Sequence, residues 1–117
     1  MASVNTKINY LYRDSNNYKV PNTCIIAGEI SHDQILQIME CLDMGEFFIP
    51  RQVGLPEHRF ASWDPDADHC WFELEKSGFE YTDSVPELNM NVQQLVEQFQ
   101  AAKGNWDDSW MEKEGLL

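Results

Sequence analysis

The sequence is short of basic residues. Its 117 residues contain eight lysines and arginines against 20 aspartates and glutamates, so the net charge at neutral pH is −12. Most of the excess lies in the middle of the chain, where residues 29–87 carry 14 acids and only three bases. Because this charge would repel phosphate groups, we expect no direct nucleic-acid binding and a basic protein as the natural partner.

Cysteines are also few, and long apolar runs are missing. The three cysteines, Cys24, Cys41 and Cys70, are an odd number without a CxxC pair, which favours free thiols in a reducing compartment over a disulfide framework. No apolar stretch approaches the ~18 residues that a membrane span needs. The first 30 residues do not have the basic start and long apolar run that are typical of a signal peptide. We therefore expect a cytoplasmic protein that does not bind a membrane.

The usual catalytic signatures are missing as well. The sequence contains no GxGxxG, GxxxxGK[ST], GxSxG or HExxH motif. Carboxylates are so abundant that no single pair points to acid–base chemistry. We expect an interaction protein rather than an enzyme, with no catalytic residue and no cofactor. A small enzyme of unknown reaction is an alternative, and it would place His58 or His69 near a carboxylate or Cys70 in a concave pocket.

What the sequence does contain predicts a packed α+β domain. Hydrophobic residues make up 43% of the chain and aromatic residues 12%. Alternation in KINYLYRD and the β-branched run TCIIAGE predict two antiparallel strands. Ser31 with Gln34, and Asn91 with Gln94, have the spacing of a capping box before an apolar stripe, which predicts two amphipathic helices. The first helix is expected to end at Gly45.

The remaining elements complete one domain. EFFIP predicts a short strand, residues 51–68 a long loop, and CWFELEKSGFEYTD a hairpin of two strands. The predicted order is β-β-α-β-loop-β-β-α, with a mostly antiparallel sheet of about five strands and both helices on one face. We expect residues 7–108 to form the domain, with flexible segments at 1–6 and 109–117.

The acidic middle of the chain supplies the candidate partner-binding residues. We expect its carboxylates to converge with two tryptophans on one face, where the charges would steer a basic protein and the indoles would anchor it. The opposing interpretation is that the tryptophans lie in the core and the acids only keep the protein soluble. The candidate residues are Asp43, Glu46, Glu57, Trp63, Asp64, Asp66, Asp68, Trp71, Glu73 and Glu75.

A divalent-metal-binding domain is a further alternative. Three aspartates and a later glutamate match positions 1, 3, 5 and 12 of a calcium loop, although position 6 is not glycine. Two histidines and a cysteine have the softness of transition-metal ligands, but two of them are adjacent and would point to opposite faces of an extended chain. The calcium candidates are Asp64, Asp66, Asp68 and Glu75, and the transition-metal candidates are His58, His69 and Cys70.

Several stretches together resemble a known group of proteins. KINYLYRD, LDMGEFFIPRQVGLP, WDPDADHCWFELE and KGNWDD are similar to small uncharacterised acidic proteins carried on plasmids, phages and integrative elements of gut bacteria, over residues 7–108. The resemblance implies a setting, the accessory genes of mobile DNA, and no catalytic residue. Small acidic inhibitors from this setting can imitate DNA phosphates and occupy the basic groove of a host nucleic-acid-binding or defence protein. The predicted interaction module would be of this kind.

Overall fold

The computed structural model describes residues 4–60, 64 and 66–109. It shows an α+β fold with a five-stranded antiparallel sheet and two helices, in the order predicted from the sequence. Neither helix in these residues is long and apolar enough to cross a membrane. The strands are β1 (Asn5–Arg13), β2 (Lys19–Ile26), β3 (Phe47–Phe48), β4 (Phe72–Glu73) and β5 (Phe79–Thr82), the helices are α1 (His32–Met39) and α2 (Val92–Ala102), and 3₁₀ turns lie at Pro50–Val53 and Lys76–Gly78.

The sheet is built around β1. This strand pairs antiparallel with β2 on one side, and with β5 and β4 on the other. It begins at Asn5, inside the segment 1–6 that the sequence suggested would be flexible. The buried side chains of Asn5 and Thr6 explain this start, because they donate hydrogen bonds to the carbonyls of Ser84 (2.9 Å) and Gly28 (2.7 Å). The two residues are thereby tied to distant parts of the chain.

The inner face of the sheet forms the core. Alternate residues of β1, including Ile8 and Tyr12, are fully buried there, as the period-two pattern predicts. They belong to one apolar cluster with Ile38 of α1 and with Leu95 and Phe99 of α2. Both helices therefore cover the same face of the sheet, as expected.

The helix starts are confirmed, but the end of the first helix differs from the prediction. Both capping boxes are present, with each cap side chain accepting from the backbone of the residue three positions on. α1 ends at Met39 rather than at Gly45. Beyond it the Cys41 N–H bonds to the carbonyl of Ile38 (2.9 Å), and this three-residue spacing closes the helix with a tight turn. Gly45 lies instead in a separate turn that leads into β3.

The predicted hairpin in CWFELEKSGFEYTD is wrong. β4 and β5 do not pair with each other; both pair with β1, one after the other, and the 3₁₀ turn Lys76–Gly78 interrupts them. At this interruption the chain passes close to β1. A Cβ atom added at Gly78 would lie 2.4 Å from the carbonyl oxygen of Asn9, closer than real contacts allow. Glycine is therefore the residue that lets one segment serve as two short strands.

The outer face of the sheet carries a row of larger side chains. Leu11 on β1 lies opposite Glu73 on β4, and Glu73 lies opposite Phe47 on β3. Residues directly opposite each other in a sheet project to the same side, so these three side chains form one row. Each is partly exposed. Because α1 and α2 pack on the inner face, neither helix covers this row.

Candidate functional site

The long loop after the first 3₁₀ turn is anchored on the inner face as far as residue 60. The Tyr10 hydroxyl donates to the carbonyl of Pro56 (2.5 Å). The buried Asn22 amide donates to the carbonyl of His58 (3.0 Å) and accepts from its N–H (2.8 Å). This described part of the loop therefore closes the core, which is a structural task that the sequence did not reveal.

Arg59 is the main anchor of this loop. Its guanidinium carbon lies 4.9 Å from the ring centre of Phe72 and 5.4 Å from that of Tyr12. Its nitrogens donate to the carbonyls of His69 and Cys70, both at 3.2 Å. A cation held by two rings and two carbonyls ties the loop to the start of β4.

Glu57 and Glu73, two of the predicted partner-binding residues, form ion pairs within the protein. The Glu57 carboxylate is only 7% exposed and contacts Arg59 at 2.9 Å and Arg51 at 3.1 Å. The Glu73 carboxylate is 19% exposed and contacts Arg13 at 3.0 Å. Arginines of the same chain thus balance these two negative charges, and neither carboxylate is open to a partner.

Asp68, another predicted partner-binding residue, is buried in a turn. The Tyr12 hydroxyl donates to one oxygen of its carboxylate, and the Asp64 N–H donates to the other at 2.7 Å. Burial first, and then the bond to Asp68, raises the pKa of Tyr12 above its ordinary value. Asp64 and Asp66 are exposed, with the Asp66 N–H bonded to the Asp64 carboxylate at 3.0 Å. Trp63 lies outside the described residues.

The metal candidates are not assembled into a site in the part of the chain that the structure describes. No group of three or more His, Cys, Asp or Glu side chains there is placed to hold a metal ion. The His69 ring accepts from the Trp71 N–H at Nδ1 (3.1 Å) and contacts the Arg13 carbonyl at Nε2 (2.7 Å), so both nitrogens are occupied. Cys70 is fully buried, and burial raises the pKa of its thiol to about 12.

Four of the predicted partner-binding residues line two depressions that share an exposed methionine. Between α1 and β3 the chain makes a tight turn in which the Asp43 N–H bonds to the Phe47 carbonyl (2.7 Å) and the Phe47 N–H returns a bond to Asp43 (3.0 Å). Met44, at the tip, is 86% exposed. We call the surface around it the Met44 face, and its residues are Asp43, Met44, Glu46, Phe47, Trp71 and Glu75.

The Met44 face has two depressions that meet at Met44. One, of about 300 Å³, is lined by Asp43, Met44, Phe47, His69 and Trp71. The other is a wider hollow of about 560 Å³, whose lining includes Met44 and the two acidic residues Glu46 and Glu75. Its lining residues are Met39, Met44, Gly45, Glu46, Leu74, Glu75, Lys76 and Ser77.

Within the described residues the carboxylates on this face form no ion pair, although Lys76 lines the same hollow as Glu46 and Glu75. Neither Asp43 nor Glu46 forms an ion pair with any residue that the structure describes, in contrast to Glu57 and Glu73. The Glu75 carboxylate accepts a long hydrogen bond, at 3.4 Å, from the hydroxyl of Ser77. The face therefore combines one exposed methionine and two partly exposed aromatic rings with carboxylates that a partner could contact.

Sequence reasoning missed Met44 and Phe47. Met44 directly precedes Gly45, where the first helix was expected to end, and Phe47 lies in the predicted strand EFFIP, so neither was singled out as a surface residue. The one available signal was the Met-Gly pair before an aromatic strand, which suits a turn with left-handed backbone.

No protein-family model, curated protein or solved structure matches this chain. The assignment of a function therefore depends on the residues and contacts of the Met44 face and on the charge of the whole chain.

Proposed function

We propose that this protein is a non-enzymatic interaction module whose Met44 face docks a basic surface of another protein. The observation that carries the proposal is that Asp43, Glu46 and Glu75 line two depressions that share the exposed Met44, with the partly buried Trp71 in the wall of one of them. Segments that are about 30 residues apart in the sequence supply this one surface.

The two kinds of side chain on the face would have different roles in binding. Unpaired carboxylates on a chain of net charge −12 attract a basic partner over long distances and raise the association rate. Met44 and the aromatic rings supply the apolar contact that holds the complex once it forms. A methionine also adapts its shape to a partner, since its side chain has three rotatable bonds.

The class of partner follows from charge complementarity. A protein that binds nucleic acid exposes lysines and arginines spaced to meet phosphates, and an acidic face can occupy the same groove. We infer that the partner is a cytoplasmic nucleic-acid-binding or defence protein of a bacterial host, which the acidic chain inhibits. The resemblance to proteins of mobile genetic elements supports this setting.

The test compares two charge variants of equal net charge. The tagged chain is used to capture a partner from bacterial lysate, and the partner is then purified and its affinity measured directly. We expect the Asp43→Asn, Glu46→Gln, Glu75→Gln variant to bind at least about tenfold more weakly, a loss of ~1.4 kcal/mol. The control variant, Glu29→Gln, Asp83→Asn, Glu97→Gln, removes three other exposed carboxylates and the same net charge, and it is expected to bind within about twofold of the wild type because none of the three lines the Met44 face.

Salt provides a second readout of the same complex. Raising the salt from about 0.1 M to about 0.5 M shortens the screening length from ~10 Å to ~4 Å, so affinity should fall steeply. Equal losses in the two charge variants would show that only net charge matters and would refute the Met44 face as the docking site. An affinity that does not change with salt would refute the electrostatic basis of the proposal.

A further inference from the structure

The smaller depression of the Met44 face has a lining suited to a cationic side chain. Two aromatic residues, Phe47 and Trp71, form part of its wall, and the carboxylate-bearing Asp43 forms another part. Its volume is about 300 Å³, which is the lower end of the range for small-ligand sites. We call it the Phe47–Trp71 cavity.

The cavity is held in shape by contacts outside it. The Trp71 ring packs edge to face on the ring of Trp106, with 6.5 Å between ring centres. The Trp106 indole N–H in turn donates to the carbonyl of Cys41 (2.9 Å). Phe47 is fixed by its place in β3, opposite Glu73 of β4. A binding partner would therefore meet rings that are already positioned, which lowers the entropy lost on binding.

His69 does not bring a positive charge into the cavity. Its Nδ1 atom accepts the Trp71 N–H, which can act only as a donor, so Nδ1 carries no hydrogen in this arrangement. Its Nε2 atom must then carry the hydrogen that faces the Arg13 carbonyl. The ring is thus the neutral tautomer. The only formal charge among the lining residues is that of Asp43.

We propose that the Phe47–Trp71 cavity receives an arginine side chain from the basic partner. This inference rests on the proposed function and adds the group that is recognised. An apolar side chain would cover the Asp43 carboxylate without offering it a hydrogen bond, which is unfavourable. A guanidinium offers a planar face for the aromatic rings and two parallel N–H donors for the carboxylate, which the ammonium of lysine cannot do in the same geometry.

The experiment uses three short capped peptides that differ at one position. Each has the sequence Gly-Lys-Gly-X-Gly-Lys-Gly, where X is arginine, the neutral isostere citrulline, or lysine. Binding to the ¹⁵N-labelled full chain is followed by the amide shifts of Phe47 and Trp71. We expect the arginine peptide to bind about fivefold to thirtyfold more tightly than the citrulline peptide, as for a cation held by rings in a partly desolvated site.

Two variants test the cavity itself. Phe47→Leu keeps an apolar side chain but removes a ring. Asp43→Asn removes the charge of an exposed side chain and keeps the two hydrogen bonds to Phe47, because the Asp43 backbone makes them. In both, the preference for arginine over citrulline should fall to less than about twofold. If the melting temperature shows that Phe47→Leu is poorly folded, Asp43→Asn alone decides whether the preference for arginine depends on this cavity. Glu46→Gln with Glu75→Gln, the matched control outside this cavity, should weaken both peptides equally and keep the preference.

Three results would overturn the inference. They are arginine and citrulline peptides that bind within twofold of each other, a lysine peptide that binds as tightly as the arginine peptide, and no shift at Phe47 or Trp71 with millimolar arginine peptide. The proposed function would survive each of them if the intact partner still distinguished the two charge variants. It would fail separately if the intact partner did not.

Discussion

At the scale of the residue, Met44 combines an unfavourable backbone with an exposed side chain. Its φ of 52° lies in the left-handed region, which costs a non-glycine residue about 1 kcal/mol. The side chain is 86% exposed and recovers little of this by burial. The positive φ values of Met44 and Gly45 lie within the turn that the Asp43–Phe47 hydrogen bonds close, so the turn holds this backbone in place and presents the Met44 side chain at its tip.

Replacing Met44 by glycine should separate stability from binding. We expect Met44→Gly to raise the free energy of unfolding by about 0.5–1 kcal/mol, because glycine adopts the left-handed conformation without strain. The same change should weaken partner binding, since the apolar contact is lost. Gly45→Ala is the matched control: φ is 72° there and the Cβ would meet open space, so stability should fall by a similar amount. Urea unfolding of both variants checks this, and a destabilised Met44→Gly would contradict it.

At the scale of the element, the most constrained segment is the interrupted strand that runs beside β1. β5 pairs with residues 5–8 of β1 and β4 pairs with residues 11 and 12, so the 3₁₀ turn between them must take up the extra length. The Asn9 side chain stabilises this turn by donating to the carbonyl of Gly78 (3.2 Å) and to the carboxylate of Glu80 (2.7 Å). The Gly78 backbone is thus pressed against β1.

A methyl group at Gly78 should disrupt this pairing. We expect Gly78→Ala to lower the free energy of unfolding by about 2–3 kcal/mol, because the added carbon would be forced against the Asn9 carbonyl oxygen. Hydrogen exchange should quicken first at the β5 amides. Ser77→Ala, in the same turn but exposed, should change stability by less than about 0.5 kcal/mol. Equal stability of Gly78→Ala and the wild type would show that the turn is not tightly packed.

Elements with a local signal were predictable, and those set by distant contacts were not. The two capping boxes and the alternation of β1 are written in neighbouring residues, and the structure confirms them. The hairpin prediction failed because a glycine between two aromatic runs looks the same whether the strands turn back or continue along β1. Arg59 gave no periodic signal either, since its partners are rings and carbonyls from other segments.

The candidate site was half predictable for the same reason. The composition indicates negative charge in the middle of the chain, and Asp43, Glu46, Trp71 and Glu75 line the two depressions that share Met44. Glu57, Asp68 and Glu73 could not be told from them, because whether a carboxylate is open or paired depends on arginines and a tyrosine brought near by folding. Net charge therefore overstates the number of carboxylates that a partner can reach.

At the scale of the whole molecule, the core contains thiols and phenols that keep their protons to a higher pH in the folded chain than in the unfolded chain. Burial raises the pKa of the Cys24 thiol to about 11 and that of the Cys70 thiol to about 12. Burial likewise raises the pKa of Tyr10 and of Tyr12. In the unfolded chain the thiols and phenols lose their protons near pH 9 and pH 10. Alkaline conditions therefore favour unfolding.

This linkage predicts the pH range in which the protein loses stability. Because these folded-state pKa values are raised, the stabilisation is complete below about pH 9 and is lost as the pH rises towards 11 and 12. Cys24, which is 2% exposed, accounts for on the order of 2 kcal/mol of that loss. We expect urea unfolding to give a constant free energy from pH 7 to pH 8.5 and a steep decline from pH 9 to pH 11. Cys24→Ala should start lower at pH 7 but decline less steeply, whereas equal slopes would show that this thiol ionises alike in both states.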